Sequence, residues 1–330
     1  MGSDGGFGAY RQAKVQMKAW LFTGAREPLQ LIERETPRPG PGEVLIEVRA
    51  AGLCHSDVGR MDGTLTPYLP KTPPLILGHE VAGVVAGLGP GVMDYRVGDR
   101  VVCSPGLDYC PGWSVDGGYA THCALRAESL LPLPDEVSFV QGATATDAGQ
   151  TSHSALMDAG ELKAGQSIGI IGLGGLGMTA ARLAVLAGAK VYAAEPRREA
   201  WPVARAQGVV EVFDDVTGMA PLGLDMIADF AGFGETTAGA VQAVRRGGIV
   251  VQVGLGRTDA LVPMYALVGK AVTLRGSAGG KRRDAAAVLG HMRTGDLTIA
   301  ATTIGFDDIP EGLARLEQGG VVGRIVAALD

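Results

Sequence analysis

Ser167-Ile168-Gly169-Ile170-Ile171-Gly172-Leu173-Gly174-Gly175-Leu176-Gly177 is the stretch that decides the fold. A short apolar run, the length of a buried strand, enters the order G-x-G-x-x-G and leaves as helical text over residues 175–187. Gly172 permits a tight turn, Gly174 lets backbone N–H groups approach a pyrophosphate, and Gly177 lets the helix pack on the strand. The helix N-terminus then offers free N–H groups and partial positive charge to an anion. Gly175 and Leu176 complete the turn. The hexapeptide alone is a weak signal, but Glu195 ends the next strand 18 positions after Gly177, where a carboxylate can accept hydrogen bonds from adenine-ribose hydroxyls. A carboxylate there repels a 2′-phosphate and favours NAD. Arg197 and Arg198 pull towards NADP, unless they are only solvated charges at a helix start.

Outward from this turn the rhythm persists. Residues 190–194, 224–230, 248–253 and 271–274 read as buried strands, with helical text between them, beginning at 197–207. Strands alternating with helices indicate a doubly wound parallel sheet covered on both faces. Upstream, residues 17–150 read as mostly β, with runs such as 43–48 and 81–85 broken by Gly and Pro clusters. Downstream, helical text at 284–292 and 311–317 precedes a last strand at 324–327. Residues 1–16 are polar and glycine-rich, and read as a leader, either disordered or an artefact of the start site.

The whole chain sets bounds on function. At 330 residues it is too long for one ordinary core and calls for two domains. Its 46% hydrophobic and 19% charged residues describe a packed globular protein. A net charge of -6 disfavours nucleic acid or an anionic membrane as partner, though not an anionic cofactor in a local pocket. Residues 168–188 are apolar enough to mimic a membrane span, but their six glycines and Arg182 argue against that. No apolar signal-like core opens the chain, so a cytoplasmic setting is expected. There Cys54, Cys103, Cys110 and Cys123 are thiols or metal ligands before they are disulfides.

Two motifs carry candidate metal chemistry: Gly52-Leu53-Cys54-His55-Ser56-Asp57 and Gly78-His79-Glu80-Val81-Ala82-Gly83. Thiolate and imidazole are good zinc ligands, and a catalytic zinc needs three protein ligands and one open position. Gly78-His79-Glu80 followed by Gly83, Gly89 and Val92, together with Cys54-His55-Ser56-Asp57 and the downstream glycine turn, resembles the zinc-dependent medium-chain alcohol dehydrogenases over 17–330.

The resemblance implies a Rossmann dinucleotide-binding domain over 152–278 and a mostly-β, GroES-like catalytic domain over 17–151 and 279–330. It implies that Cys54 and His79 bind a catalytic zinc, that Glu80 approaches the metal during ligand exchange, that Asp57 orients the ligand histidine, and that Ser56 takes the substrate proton. The third ligand, usually a cysteine, falls on Asp147; a carboxylate oxygen serves, although Asp147 could instead cap a helix beginning nearby. Thr151 and Leu176 then lie beside the nicotinamide, His55 and Arg324 near the pyrophosphate, and Leu255 along the cofactor pocket, or else in the core.

Two departures from the family stand out. The lobe that often holds a structural zinc is short here, with only Cys103 and Cys110, so one catalytic zinc and no structural zinc are expected. A histidine of the usual proton relay is replaced by Gly59. The implied reaction is hydride transfer between the nicotinamide cofactor and a small to medium alcohol, ketone or aldehyde. The implied assembly is a homodimer or homotetramer built on the strand at 271–274. Two alternatives remain open at this point: a zinc-free enoyl or quinone reductase of the same superfamily, and a non-catalytic nucleotide-binding protein.

Overall fold

Glycine-rich text falls where a parallel sheet needs its first turn. The computed structural model describes residues 16–65, 68 and 70–329; the expected leader, apart from Gln16, lies outside them. First along the chain come β1 (Gln16–Phe22), β2 (Gln30–Glu35), β3 (Glu43–Leu53), helix α1 (His55–Met61), β4 (Leu75–Ile76), β5 (Glu80–Leu88), β6 (Arg100–Cys103), β7 (His122–Arg126) and β8 (Leu130–Pro132). A helical run follows, from α2 (Phe139–Thr144) through a π-helical turn at Ala145–Gly149 into α3 (Gln150–Ser154). Then strands and helices alternate: β9 (Ser167–Ile171), α4 (Gly175–Leu186), β10 (Lys190–Ala194), α5 (Trp201–Ala206), β11 (Glu211–Phe213), β12 (Met226–Asp229), α6 (Glu235–Ala243), β13 (Ile249–Gln252), α7 (Met264–Gly269) and β14 (Thr273–Gly276). Helix α8 (Arg282–Arg293), β15 (Ala301–Gly305), α9 (Ile309–Gln318) and β16 (Arg324–Ala328) complete the described chain.

The second sheet is parallel throughout, in the order β11-β10-β9-β12-β13-β14. Counted from β9, this is the 3-2-1-4-5-6 order of a doubly wound Rossmann fold. The chain reverses direction across the sheet beside β9, and the crevice at the carboxyl ends of the strands is where such sheets bind ligands. The apolar stretch that mimicked a membrane span is β9, the turn and α4. No helix among the described residues is long and apolar enough to cross a membrane.

Some elements shift from the sequence expectation. Residues 197–207 open as a single 3₁₀ turn at Arg198–Ala200 before α5. The last parallel strand starts two residues later than the apolar text, because Ala271 takes a positive φ of 52° and ends the preceding turn.

The β-rich part forms a sheet in the order β15-β16-β3-β5-β6-β8, with β7 also paired to β3. The last strand of the chain thus returns to lie against β3, antiparallel, with Ile325 opposite Leu53. The helical run 139–154 is the wall shared by the two sheets. Ala143, Ala145 and Ala148 pack in one core with Ala50, Ala82 and Val326 on one side and Ile168 and Ile170 on the other. Small alanines allow this close approach to two sheets at once.

Candidate metal and cofactor site

Cys54 stands in extended backbone between β3 and α1, where its N–H donates to the Asp57 carboxylate at 3.2 Å. Glu80 opens the adjacent strand β5, and His79 immediately precedes it. In the β3–β5 pair Gly52 lies opposite Glu80, and a Cβ at Gly52 would sit 2.2 Å from Glu80 Oε2. The glycine before Cys54 therefore makes room for a buried carboxylate.

Asp147 comes from the wall helix. It does not cap a helix: α2 starts at Phe139 behind Ser138, whose hydroxyl accepts from Gln141 N at 3.2 Å. Asp147 instead sits within the π turn, a local widening often found at functional sites.

These residues converge. Ligand atoms of Cys54, His79, Glu80 and Asp147 lie within 4.8 Å of one another. Cys54 Sγ is 3.3 Å, and His79 Nε2 3.7 Å, from Asp147 Oδ2. Thr151, one turn on, donates its hydroxyl to the other oxygen, Oδ1, at 3.0 Å. Arg324 pairs with Glu80 and reaches Asp147 Oδ2 at 3.1 Å. Asp57 is fully buried, accepts from Tyr119 at 2.8 Å, and faces His79 Nδ1 at 3.5 Å. Burial alone would lower the His79 pKa, but the Asp57 charge and the hydrogen bond with Asp147 raise it well above the usual value. Burial would raise Asp147, yet its hydrogen bond with His79 holds the carboxyl below its ordinary value.

The sulfur, nitrogen and oxygen donors of this pocket, with the Arg324 guanidinium at its edge, are a set that fits a zinc ion. One Glu80 oxygen is paired with Arg324, and the other, Oε2, is buried without a hydrogen-bond partner beside the donor cluster. Cys54, His79 and Asp147 are the residues that would hold the metal, with Glu80 at its side.

The cofactor half is built from neighbours in sequence. Gly172 has a φ of 83°, and a Cβ on Gly177 would lie 1.8 Å from Gly172 O, so only glycine fits this strand–helix junction. Gly174 precedes α4 with no side chain capping the helix, which leaves its first N–H groups for an anion. The Arg324 stem crosses Gly175, where a Cβ would meet its Cδ at 2.3 Å. Arg324 thus spans from the glycine turn to the metal cluster, whereas the sequence placed it only near the pyrophosphate. Ser152 Oγ donates to Leu176 O at 2.8 Å and joins the Thr151 helix to the same turn. Glu195 is 2% exposed and accepts from Leu173 N at 2.7 Å, bracing the turn.

Other expected residues stand apart. Ser56 is half-buried and His55 exposed at the start of α1. Leu255 is 65% exposed, which removes the core-packing alternative. At Gly59 a Cβ would meet Leu65 Cδ1 at 2.9 Å, so a relay histidine would have to displace Leu65. Cys103, Cys110 and Cys123 are free thiols, and burial pushes the first two up to about 12 and Cys123 upward also.

Sequence reasoning missed two supports. Tyr119 is one. The other is Arg60, fully buried, which donates to the Gly112 and Lys71 carbonyls beneath Trp113. Trp113 in turn stands edge-on to His79, ring centroids 6.4 Å apart. Neither residue lies in a motif, and no local spacing signals them.

Residues 40–135 match the family described as "Alcohol dehydrogenase GroES-like domain", and residues 175–294 that described as "Zinc-binding dehydrogenase". An alcohol dehydrogenase of Geobacillus stearothermophilus is 33% identical over 344 residues, covering 95% of this chain and 100% of the relative. Among solved structures, an acetophenone reductase from Geotrichum candidum in complex with NAD is 29% identical with a TM-score of 0.87, over 95% of this chain and 97% of that one. An alcohol dehydrogenase from Aeropyrum pernix is 27% identical with a TM-score of 0.88, over 94% and 100%.

Proposed function

Since the chain belongs to the zinc-binding medium-chain alcohol dehydrogenases, it is a nicotinamide-dependent alcohol and carbonyl oxidoreductase, and we propose that Cys54, His79 and Asp147 hold its single catalytic zinc. The observation that carries this is the convergence of those three side chains and Glu80 within 4.8 Å. When bound, the zinc supplies Lewis acidity to a substrate oxygen and the nicotinamide exchanges hydride with the adjoining carbon.

The chain's own residues do the rest. Thr151 fixes Asp147 through Oδ1, which leaves Oδ2 turned towards Cys54 and His79. Asp57 holds His79 from its Nδ1 side. Ser56 Oγ takes the substrate proton and passes it to water, because Gly59 offers no side chain to carry it. The glycine turn and α4 seat the pyrophosphate, Glu195 receives the adenine ribose of NAD, and Leu255 and His55 border the cofactor cleft. The substrate is a small to medium, uncharged alcohol, ketone or aldehyde; the acetophenone reductase among the structural relatives supports the ketone end of this range. The three thiols outside the site hold no structural zinc.

A homodimer or homotetramer forms through the free edge of β14. Leu261, Tyr265 and Val268 stand exposed in the segment leading to that edge.

Metal analysis of the purified protein tests the reading. One equivalent of zinc per chain is expected, with NADH formation lost on chelation and on Asp147→Ala, and metal retained in Asp147→Cys. Activity that survives chelation with less than about half an equivalent of zinc would refute it.

A further inference from the structure

Three consecutive side chains of α3 reach three different parts of the molecule. Thr151 holds Asp147 Oδ1, and Ser152 donates to Leu176 O in the glycine turn. Gln150, 1% exposed, reaches the segment that follows β6. Its Oε1 accepts from Ser104 Oγ at 2.5 Å, and its Nε2 donates to Pro105 O at 2.7 Å. Ser104 is buried as well, and its backbone N–H donates to Ser129 O at 2.8 Å.

Ser104 and Pro105 open the shortened lobe. The lobe turns on its own backbone: Gly106 N donates to Tyr109 O at 2.9 Å, and Gly112 N to Val115 O at 2.8 Å. Its far end is held by Arg60, which donates to the Gly112 carbonyl and lies 5.6 Å from the Trp113 ring centroid. That end faces the metal cluster. Trp113 is half-buried and stands edge-on to His79. The Cys110 thiol is near enough to His79 and Asp147 to feel their charges, and burial keeps it protonated. The lobe therefore sets an aromatic ring and a neutral thiol beside the donor cluster.

We infer that Gln150 is a positioning residue for substrate recognition: it fixes the lobe, and with it the Trp113 wall, in one frame with Asp147. This rests on the metal site proposed above. Asp147 and Gln150 belong to one helical run, so a lobe bonded to Gln150 keeps its distance from the metal ligand. An amide suits this task, because it donates to a carbonyl and accepts from a hydroxyl at once. An apolar side chain there leaves the buried Ser104 hydroxyl and the Pro105 carbonyl unpaired, which loosens the lobe and not the metal. A bulky, aryl-bearing alcohol needs the wall in place, whereas ethanol presents too little surface to use it.

The test compares Gln150→Leu with the unsubstituted zinc-loaded protein, with benzyl alcohol and ethanol as probes. KM for benzyl alcohol is expected to rise about tenfold, with kcat for both alcohols and KM for ethanol within about twofold. Zinc content should match that of the unsubstituted protein. Hydrogen exchange read by mass spectrometry, without substrate, should speed up in peptides covering residues 104–115 and not in those covering the glycine turn. Ser104→Ala, a milder change, should move KM for benzyl alcohol and the exchange in the same direction. The double variant should match Gln150→Leu alone, because the two side chains act through one bond. Equal KM changes for the two alcohols, additive effects in the double variant, unchanged exchange at 104–115, or loss of zinc would each overturn the positioning role. Absence of zinc from the unsubstituted protein would instead refute the metal site itself.

Discussion

Replacing Tyr119 by Phe removes one oxygen atom and no packing. That oxygen donates to Asp57 Oδ2 at 2.8 Å, and both residues are fully buried. Burial, reinforced by the Asp57 charge, holds the Tyr119 phenol well above its ordinary pKa, so it remains a proton donor across the working range. Without it, the same Asp57 oxygen keeps only the Cys54 N–H, at 3.2 Å. A hydrogen bond to a buried charge contributes about 2 kcal/mol net, so the variant should lose roughly that much stability. For a chain of this size the thermal midpoint should fall by roughly 4 °C.

A second effect follows because Asp57 also faces His79 Nδ1. A loosened carboxylate lets the imidazole tilt, and removal of such a supporting partner typically costs about tenfold in metal affinity. Urea unfolding followed by circular dichroism reads the first quantity, and zinc competition against a chelating dye reads the second. An unchanged midpoint would show that the Tyr119 hydroxyl contributes nothing. A lowered midpoint with unaltered zinc affinity would show that Asp57 does not orient His79.

Gly177→Ala should destabilise the nucleotide domain by about 3 kcal/mol, since its Cβ has no room beside the Gly172 carbonyl, and should weaken 5′-AMP binding; a normal melt would refute the packing argument. Arg60→Met leaves the Gly112 and Lys71 carbonyls without their buried donor and should lower stability by about 2 kcal/mol or more, with zinc content intact; loss of zinc with stability preserved would refute that assignment. Asp225 shows the pH dependence: partial burial would raise its pKa, but hydrogen bonds from the Ser167 backbone and side chain and from Arg245 hold it below the ordinary value. Its contribution is full above the unfolded carboxyl pKa and is lost as pH falls through the lower folded value. Asp225→Asn should therefore cost about 1 kcal/mol at pH 7 and converge with the wild type in acid; a constant difference down to about pH 2 would refute the linkage.

The two halves of the site differ in how far sequence could reach them, and the reason is contact distance. The cofactor half is built from neighbours: β9, its glycine turn, α4 and the carboxylate at the end of the next strand all fall within one βαβ unit, where period and turn chemistry act locally. The sequence reads Arg197 and Arg198 as one pair; the fold separates them by direction, Arg197 turning in to Glu195 and Arg198 out to Asp214. The metal half assembles across the chain. Cys54 and His79 were legible through their flanking motifs, but Asp147 was visible only through family resemblance, since a π turn inside a helix has no period to announce it. Arg324 reaches the cluster by the return of the last strand to β3, and Tyr119 reaches it from the loop before β7, where its backbone N–H donates to Leu77 O. The β3–β5 pairing explains Gly52, which from sequence alone is one more glycine near a cysteine. Opposite Glu80 in the folded sheet, it is the position whose missing Cβ admits the carboxylate, and with it the Glu80–Arg324 pair that joins the metal cluster to the nucleotide turn.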